Sequence, residues 1–295
     1  MIDLHIHTKY SDGSDSISEL LDKAKKKNLD IISITDYNSC LSYFELENIN
    51  VKEIYNGKII VGCCFTTSFN DRTIEVLGYG FDYKKVQDYL DSYYNSESIN
   101  ENLSKLYERL VCRIYSLGLK CGELDGKREF ESEFFEREIY NELVKEPINR
   151  EILQEDIWDS FCDFYRKGLT NPKSKLFMNY PEFRPSLEEI IDIVQENGGI
   201  VFLAHPYQYK FDDINKFLKE LYSKYNFDGI ECFYSSFSDE QTKYLLDFAK
   251  KRGLLVTGGS DYHGSNRDGY CLGIGNGNLL ISSDILDDWN IDKYY

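Results

Sequence analysis

The sequence predicts an α/β protein built on a mostly parallel sheet. Two observations carry that expectation. Short apolar, β-branched runs alternate with amphipathic stretches of helical spacing, the pattern of repeated βα units. Polar residues capable of chemistry then recur where the apolar runs end: His5 and His7 after the first, Thr35-Asp36 after the second, His205-Pro206 after a later one, and Ser260-Asp261-Tyr262-His263 near the C-terminus. A barrel of βα units and a doubly wound sheet both build their sites at C-terminal strand ends.

Taken in order, the strand-like runs are 2–7 (IDLHIH), 30–35 (DIISIT), 58–64 (KIIVGCC), 73–79 (TIEVLGY), 199–204 (GIVFLA), 228–233 (DGIECF), 254–259 (LLVTGG) and 271–281 (CLGIGNGNLLI). In the first, Ile2, Leu4 and Ile6 alternate with His5 and His7, which predicts an apolar face packed outward and histidines facing the interior. Helical spacing occupies 16–28, 186–197, 211–225 and 238–252. Ser16 precedes Glu19, and Ser186 precedes Glu189, at the separation of a capping box. The stretch 86–184 has no clear strand run and is rich in Glu, Asp, Tyr and Phe with helical periodicity, most acidic over 129–163; Pro172, Pro181 and Pro185 mark an irregular return. The expected organisation is a discontinuous barrel domain, 1–85 and 185–295, carrying a mostly helical acidic insertion or lid, 86–184.

Composition narrows the function classes. With 295 residues, 42% of them apolar and 15% aromatic, a sizeable core is available. The net charge of −17 repels phosphate backbones and anionic bilayers, so duplex nucleic acid and membranes are not expected partners. A small phosphorylated molecule remains compatible, because bound cations reverse the local sign. The eight cysteines (40, 63, 64, 112, 121, 162, 232 and 271) form no CxxC pair and no secreted disulfide framework. With no signal-peptide pattern after Met1 and no run of membrane-spanning length, the expected location is cytoplasmic.

The four histidines carry the chemistry. His5-Ile6-His7 and Asp261-Tyr262-His263 each place ligand-type side chains at i and i+2, which an extended strand points to one face. Two such strands converging imidazole and carboxylate suit a divalent metal. Asp12, in Ser11-Asp12-Gly13, reads by itself as an ordinary turn residue, and His205 as a core histidine. Jointly they gain meaning.

The ordered set His5-x-His7, Ser11-Asp12-Gly13, Ile34-Thr35-Asp36, Ala204-His205-Pro206 and Gly259-Ser260-Asp261-x-His263 resembles the PHP family, the polymerase-and-histidinol-phosphatase phosphoesterases, and within it the stand-alone nucleotide phosphatases. The resemblance covers about residues 1–83 and 184–281. It implies a distorted, TIM-like (β/α)7 barrel, one to three divalent metals (Mn, Fe or Zn), and phosphoester hydrolysis by activated water. It further implies His5, His7 and Asp261 as ligands of one metal, Asp12 and His263 of a second, and His205 of a third. Three positions depart from the family pattern: Tyr37 stands for a histidine, Cys64 for a bridging glutamate, and Glu75 for a further histidine. Glu75 is a hard oxygen donor, whereas Cys64 binds a metal only as thiolate and favours Zn. Asp12 or His263 is positioned to orient water or protonate a leaving oxygen, and Arg184 and Arg267 are candidate phosphate clamps. Asp3, on the strand face of His5, is a candidate to hold an imidazole tautomer.

The expectation is therefore a metal-dependent phosphoesterase acting on a nucleotide or oligonucleotide end. A catalytically degenerate PHP fold, binding without turnover, is the alternative that Tyr37, Cys64 and Glu75 motivate. A zinc hydrolase of C–N bonds also uses HxH on a barrel but needs further histidines, and this chain has four in all.

Overall fold

A computed structural model describes residues 1–70, 72–94, 96–122, 135–178, 184–209 and 211–290; Pro181 and the first part of the acidic run, 129–134, lie outside them. Seven strands form one sheet in sequence order: β1 (Ile2–Ile6), β2 (Ile31–Ile34), β3 (Lys58–Phe69), β4 (Arg72–Tyr79), β5 (Ile200–Leu203), β6 (Gly229–Tyr234) and β7 (Leu255–Gly259). Pairing is parallel from β1 to β3 and from β5 to β7. Ile6 makes a parallel bridge to Tyr262, just beyond β7, so the sheet nearly closes into a barrel.

One strand runs the other way. Only two residues separate β3 from β4, too few for a helical crossover, and β4 pairs antiparallel with β5 through Val76–Leu203 and Leu77–Phe202. The reversal has a consequence for the site: a residue near the start of β4 lies level with the C-terminal ends of the parallel strands. Glu75 is such a residue, and its carbonyl accepts from Ala204 N–H at 3.1 Å.

The four helices read from the sequence are Ile17–Lys26, Leu187–Glu196, Ile214–Lys224 and Asp239–Arg252. Both expected capping boxes form, at Ser16/Glu19 and Ser186/Glu189, and Ser238/Gln241 makes a third. Helices Leu41–Leu46 and Val51–Ile54 were not expected; at 6 and 4 residues they are too short to show helical periodicity, and their N-caps, Cys40 and Asn50, make no side-chain cap bond.

The expected strand at 271–281 does not form. Gly273, Gly275 and Gly277 take φ of 78°, 55° and 91°, a conformation open to glycine and hostile to a strand, and the segment winds through turns. It still lines the barrel seam, because Ile281 accepts from Ile2 N–H at 3.1 Å. Strict alternation in β1 also fails. Its register against β2 shifts between Asp3 and Ile6. Ile2 and Leu4 pack with Ile60, Cys64, Leu77, Tyr79, Phe202 and Ala204, rather than outward as the alternation predicts.

Two compact units are distinct. The first comprises Met1–Phe69, Ile74–Ser92 and Pro185–Tyr295, and holds the whole sheet core. The second comprises Asn70–Thr73 and Tyr93–Arg184. Its described residues from Tyr93 on are helical or irregular, around a core of its own that includes Leu110, Ile114, Ile139, Leu143, Trp158 and Phe164. Among the described residues no helix is long and apolar enough to cross a membrane.

Candidate metal centre

β1 delivers His5 and His7, and the turn after β7 delivers Asp261 and His263 directly beside them. The two backbones are stitched by Asp261 N–H to His5 O (2.9 Å) and His7 N–H to Tyr262 O (2.8 Å). The contact requires Gly259, where a Cβ would lie 2.4 Å from His5 N. Asp261 adopts φ of 56°, rare for a non-glycine residue, and this conformation turns its carboxylate toward both histidines. Its Oδ1 lies 3.4 Å from His5 Nε2 and 3.3 Å from His7 Nε2. The other oxygen, Oδ2, is taken by Tyr234 OH (2.6 Å) and by the Arg267 guanidinium.

A second group adjoins the first. Asp12 Oδ1 lies 3.2 Å from His263 Nε2 and 3.5 Å from His7 Nδ1, and the rings of His7 and His263 stack at 4.2 Å. The loop carrying Asp12 is fixed by Asp36, whose carboxylate accepts from Thr8 N–H, Thr8 Oγ1 and Ser11 Oγ, each at 2.7 Å. A third group forms where β4, β5 and β6 meet. His205 Nε2 is 2.9 Å from Glu75 Oε2, which also receives Tyr37 OH at 3.1 Å and Cys64 Sγ at 3.8 Å.

Glu231 on β6 was missed by sequence reasoning. Fully buried, it accepts from His5 Nδ1 at 2.9 Å and from His205 N–H at 2.6 Å, joining the first and third groups. The only signal available was a carboxylate inside the apolar run Ile230-Glu231-Cys232, where an unpaired charge is costly. Glu231, not Asp3, is thus the partner of the His5 ring. Asp3 instead accepts from Ser260 N–H (2.9 Å), Ser260 Oγ (2.6 Å) and Gly273 N–H (2.7 Å), and so ties β7 and the following turns to β1. Arg184 belongs to the second unit, where it donates to Thr73 Oγ1.

Electrostatics separates these groups. Burial disfavours charge on every imidazole here. At His5 the Glu231 and Asp261 carboxylates overcome burial and push the ring up to about 9. At His7 burial prevails, helped by the neighbouring His263 and His5 charges, and holds it near 4. Glu75, although desolvated in its partly buried position, is held down to about 2 by His205, while burial and the Glu75 charge push the Cys64 thiol and the Tyr37 phenol well above their ordinary values.

Do these residues fit a cation? His5 Nε2, His7 Nε2, His205 Nδ1 and Asp261 Oδ1 are buried with no hydrogen-bond partner. Leaving such atoms unsatisfied costs about 1–3 kcal/mol each, and a divalent ion removes that cost at several of them at once. Three donor sets have geometry that closes on one point: His5, His7 and Asp261; His7, Asp12 and His263; and His5, His205 and Glu231. They fit.

A nearly closed α/β barrel that gathers all four histidines with buried carboxylates at one end defines a class of protein with its chemistry in shared cation positions. The chain belongs to the PHP family: the family model described as PHP domain matches residues 3–252. It is 22% identical over 266 residues to the phosphoribosyl 1,2-cyclic phosphate 1,2-diphosphodiesterase of Eggerthella lenta, covering 89% of this chain and 94% of that one. It is 23% identical over 277 residues to the 3',5'-nucleoside bisphosphate phosphatase of Chromobacterium violaceum, covering 92% and 90%. Among solved structures, a protein of Bifidobacterium adolescentis provisionally assigned as a metal-dependent phosphoesterase superposes with a TM-score of 0.63 at 23% identity, covering 97% of this chain and 94% of that one.

Proposed function

We propose that this protein is a metal-dependent phosphoesterase that hydrolyses a phosphate ester of a small nucleotide-type molecule or an oligonucleotide end. One observation carries the reading: the orphaned His5 Nε2, His7 Nε2 and Asp261 Oδ1, buried and converging on one point. The names of the relatives, a cyclic phosphodiesterase and a bisphosphate phosphatase, support the same chemistry, and bring no support to a degenerate fold that binds without turnover. Divalent Mn, Fe or Zn, up to three ions, would supply Lewis-acid polarisation of a phosphoryl oxygen and a water acidified toward neutrality.

The chain's own residues divide the remaining work. His5, His7 and Asp261 would hold one ion, with Asp261 presenting one oxygen because Tyr234 and Arg267 occupy the other. Asp12, half exposed between His7 and His263, lies where a proton can pass between water and the leaving oxygen. Arg267, bonded to Asp261 and Tyr234, is an arginine placed to meet phosphate, and doing so would exchange its contact with Asp261 for one with substrate.

The test is phosphate release from a 3',5'-nucleoside bisphosphate, a cyclic 1,2-phosphodiester and a short 5'-phosphorylated oligoribonucleotide, with and without chelator. Turnover should depend on added divalent metal. His7→Ala and Asp261→Ala should each lower it by about a thousand-fold or more, since several kcal/mol of charge stabilisation are lost. Activity indifferent to chelator, or surviving both substitutions, would sink the reading.

A further inference from the structure

The three donor sets share one strand end but are not built alike. We infer that Asp15, Lys23 and Tyr262 form a clamp that assembles the set His7, Asp12 and His263, acting as positioning residues that are not themselves ligands. This rests on the metal-dependent reading above and names what holds one of its cation positions together.

The origin of the donors decides which set needs a clamp. His5 and Glu231 stand on strands, and His205 follows β5 by two residues. Asp261 lies beyond β7, but its N–H is held by His5 O at 2.9 Å and its Oδ2 by the Tyr234 hydroxyl at 2.6 Å. The remaining set takes two of its three donors from irregular segments: Asp12 from the loop after β1, and His263 from the turn after β7. The Asp12 side chain is 53% exposed and its carboxylate faces the two histidines, so its place is set through the backbone that carries it. The loop and the turn must be held against each other for their donors to meet.

Three side chains do this. Lys23, on the helix Ile17–Lys26, donates from Nζ to Asp15 Oδ1 at 2.8 Å, to Asp15 Oδ2 at 2.6 Å and to the Tyr262 hydroxyl at 3.0 Å. The Tyr262 hydroxyl donates in turn to Asp15 Oδ2 at 2.8 Å, which closes a triangle. Tyr262 stands between Asp261 and His263, and its carbonyl accepts from His7 N–H at 2.8 Å. Its ring is thus anchored to the helix and its backbone to β1, which fixes the peptide that leads into His263. The seam continues beyond the triangle. Ser14 N–H donates to His263 O at 3.1 Å, Ser265 N–H to Ser14 Oγ at 2.8 Å, and Asn266 Nδ2 to Asp12 O at 2.9 Å.

Stability alone is a poor account of the triangle. The Asp15 side chain is 8% exposed, and a carboxylate that deep is costly unless paired and hydrogen-bonded. Apolar replacements of buried ion pairs are often neutral or stabilising, and the best-attested use of such pairs is to set registry. Here the registry is between two segments 247 positions apart, each contributing a donor to the same point.

The experiment titrates metal-free protein with Mn(II) by calorimetry and reads each class of binding separately. His263→Ala identifies the class that belongs to this position. Tyr262→Phe, which deletes one oxygen and keeps the ring, should weaken that class by about 10–100-fold, the usual effect of losing a group that supports a ligand. The remaining Mn(II) binding should stay within twofold of wild type. Asp15→Asn and Lys23→Met should reproduce the pattern. A merely structural role would weaken every class together as the melting temperature falls, and that result overturns the proposal. So does a His263-dependent class that Tyr262→Phe leaves unmoved. Tyr262→Phe decides the matter by itself should the Asp15 or Lys23 variants fail to fold. Wild-type protein that binds no Mn(II) overturns the metal-dependent reading, and the clamp with it. Wild-type binding in which no class responds to His263→Ala overturns the clamp alone.

Discussion

Glu231 makes two hydrogen bonds that a glutamine cannot both reproduce. Its oxygens accept from His5 Nδ1–H and from His205 N–H, and a carboxamide offers one acceptor and one donor. Holding the proton on His5 Nδ1 is what leaves Nε2 free as a ligand atom. Glu231→Gln should therefore weaken divalent-metal affinity by about 10–100-fold, measured by calorimetric titration of metal-free protein; an affinity within twofold of wild type would dismiss this role. Proton linkage gives a second residue-scale expectation. His5 titrates near 9 in the metal-free fold, and His205 and His263 are raised too. A raised folded value means stability that is complete below the ordinary imidazole value of about 6.5 and lost as pH climbs toward 9. His7, held neutral down to about 4, has the opposite slope, losing stability as pH falls from about 6.5. Melting temperature in chelator should thus peak near neutrality and decline toward pH 9. The increment added by Mn(II) should grow over that alkaline range, because fewer protons must be displaced. A flat profile in chelator would refute the His5 assignment. The residue scale is also where the sequence was least legible. His5, His7, Asp261 and His263 announce themselves as i, i+2 pairs, whereas Glu231 is one acid in an apolar run whose partner lies 226 positions away.

Strand ends and close approaches decide whether those residues meet. β1 and the end of β7 touch backbone to backbone at His5 and Gly259, and an added methyl at Gly259 would sit 2.4 Å from His5 N and 2.5 Å from His5 Cβ. The obstruction is backbone, so rotamer change does not relieve it. Gly259→Ala should cost about 1–3 kcal/mol of overpacking in urea denaturation, and should also reduce metal stoichiometry, because the seam that separates is the one carrying His5 and Asp261. Unchanged stability and unchanged metal content would show that the seam is softer than the contact implies. At this scale the sequence was readable wherever an element has a local signature: seven of eight expected strands form, and the two expected capping boxes form. It misled where local and tertiary demands differ. Residues 271–281 alternate like a strand, but their glycines adopt positive φ and turn. The reversal at β3–β4 leaves no mark in hydrophobic pattern, although it is what brings Glu75 level with His205.

For the whole molecule, charge is the property that the proposed substrate meets first. The chain carries 51 acidic and 34 basic side chains, a formal −17, and a nucleotide-type phosphate carries the same sign. At long range the field opposes approach, and only within the site do cations reverse it. The range of that field is set by salt: the screening length is about 30 Å at 0.01 M and about 10 Å at 0.1 M. With saturating Mn(II), kcat/KM for a nucleoside bisphosphate should accordingly rise several-fold from about 0.01 to 0.15 M NaCl. The gain should fall on KM, because screening acts on encounter and binding more than on the reacting centre. A cyclic monophosphate ester, with less charge to repel, should show a shallower rise. The reverse slope, affinity falling as salt is added, is the behaviour of a protein that draws phosphate in with basic side chains. It would mean that a local positive field outweighs the net acidity, and Arg267 would then be the first residue to neutralise by Arg267→Gln and remeasure.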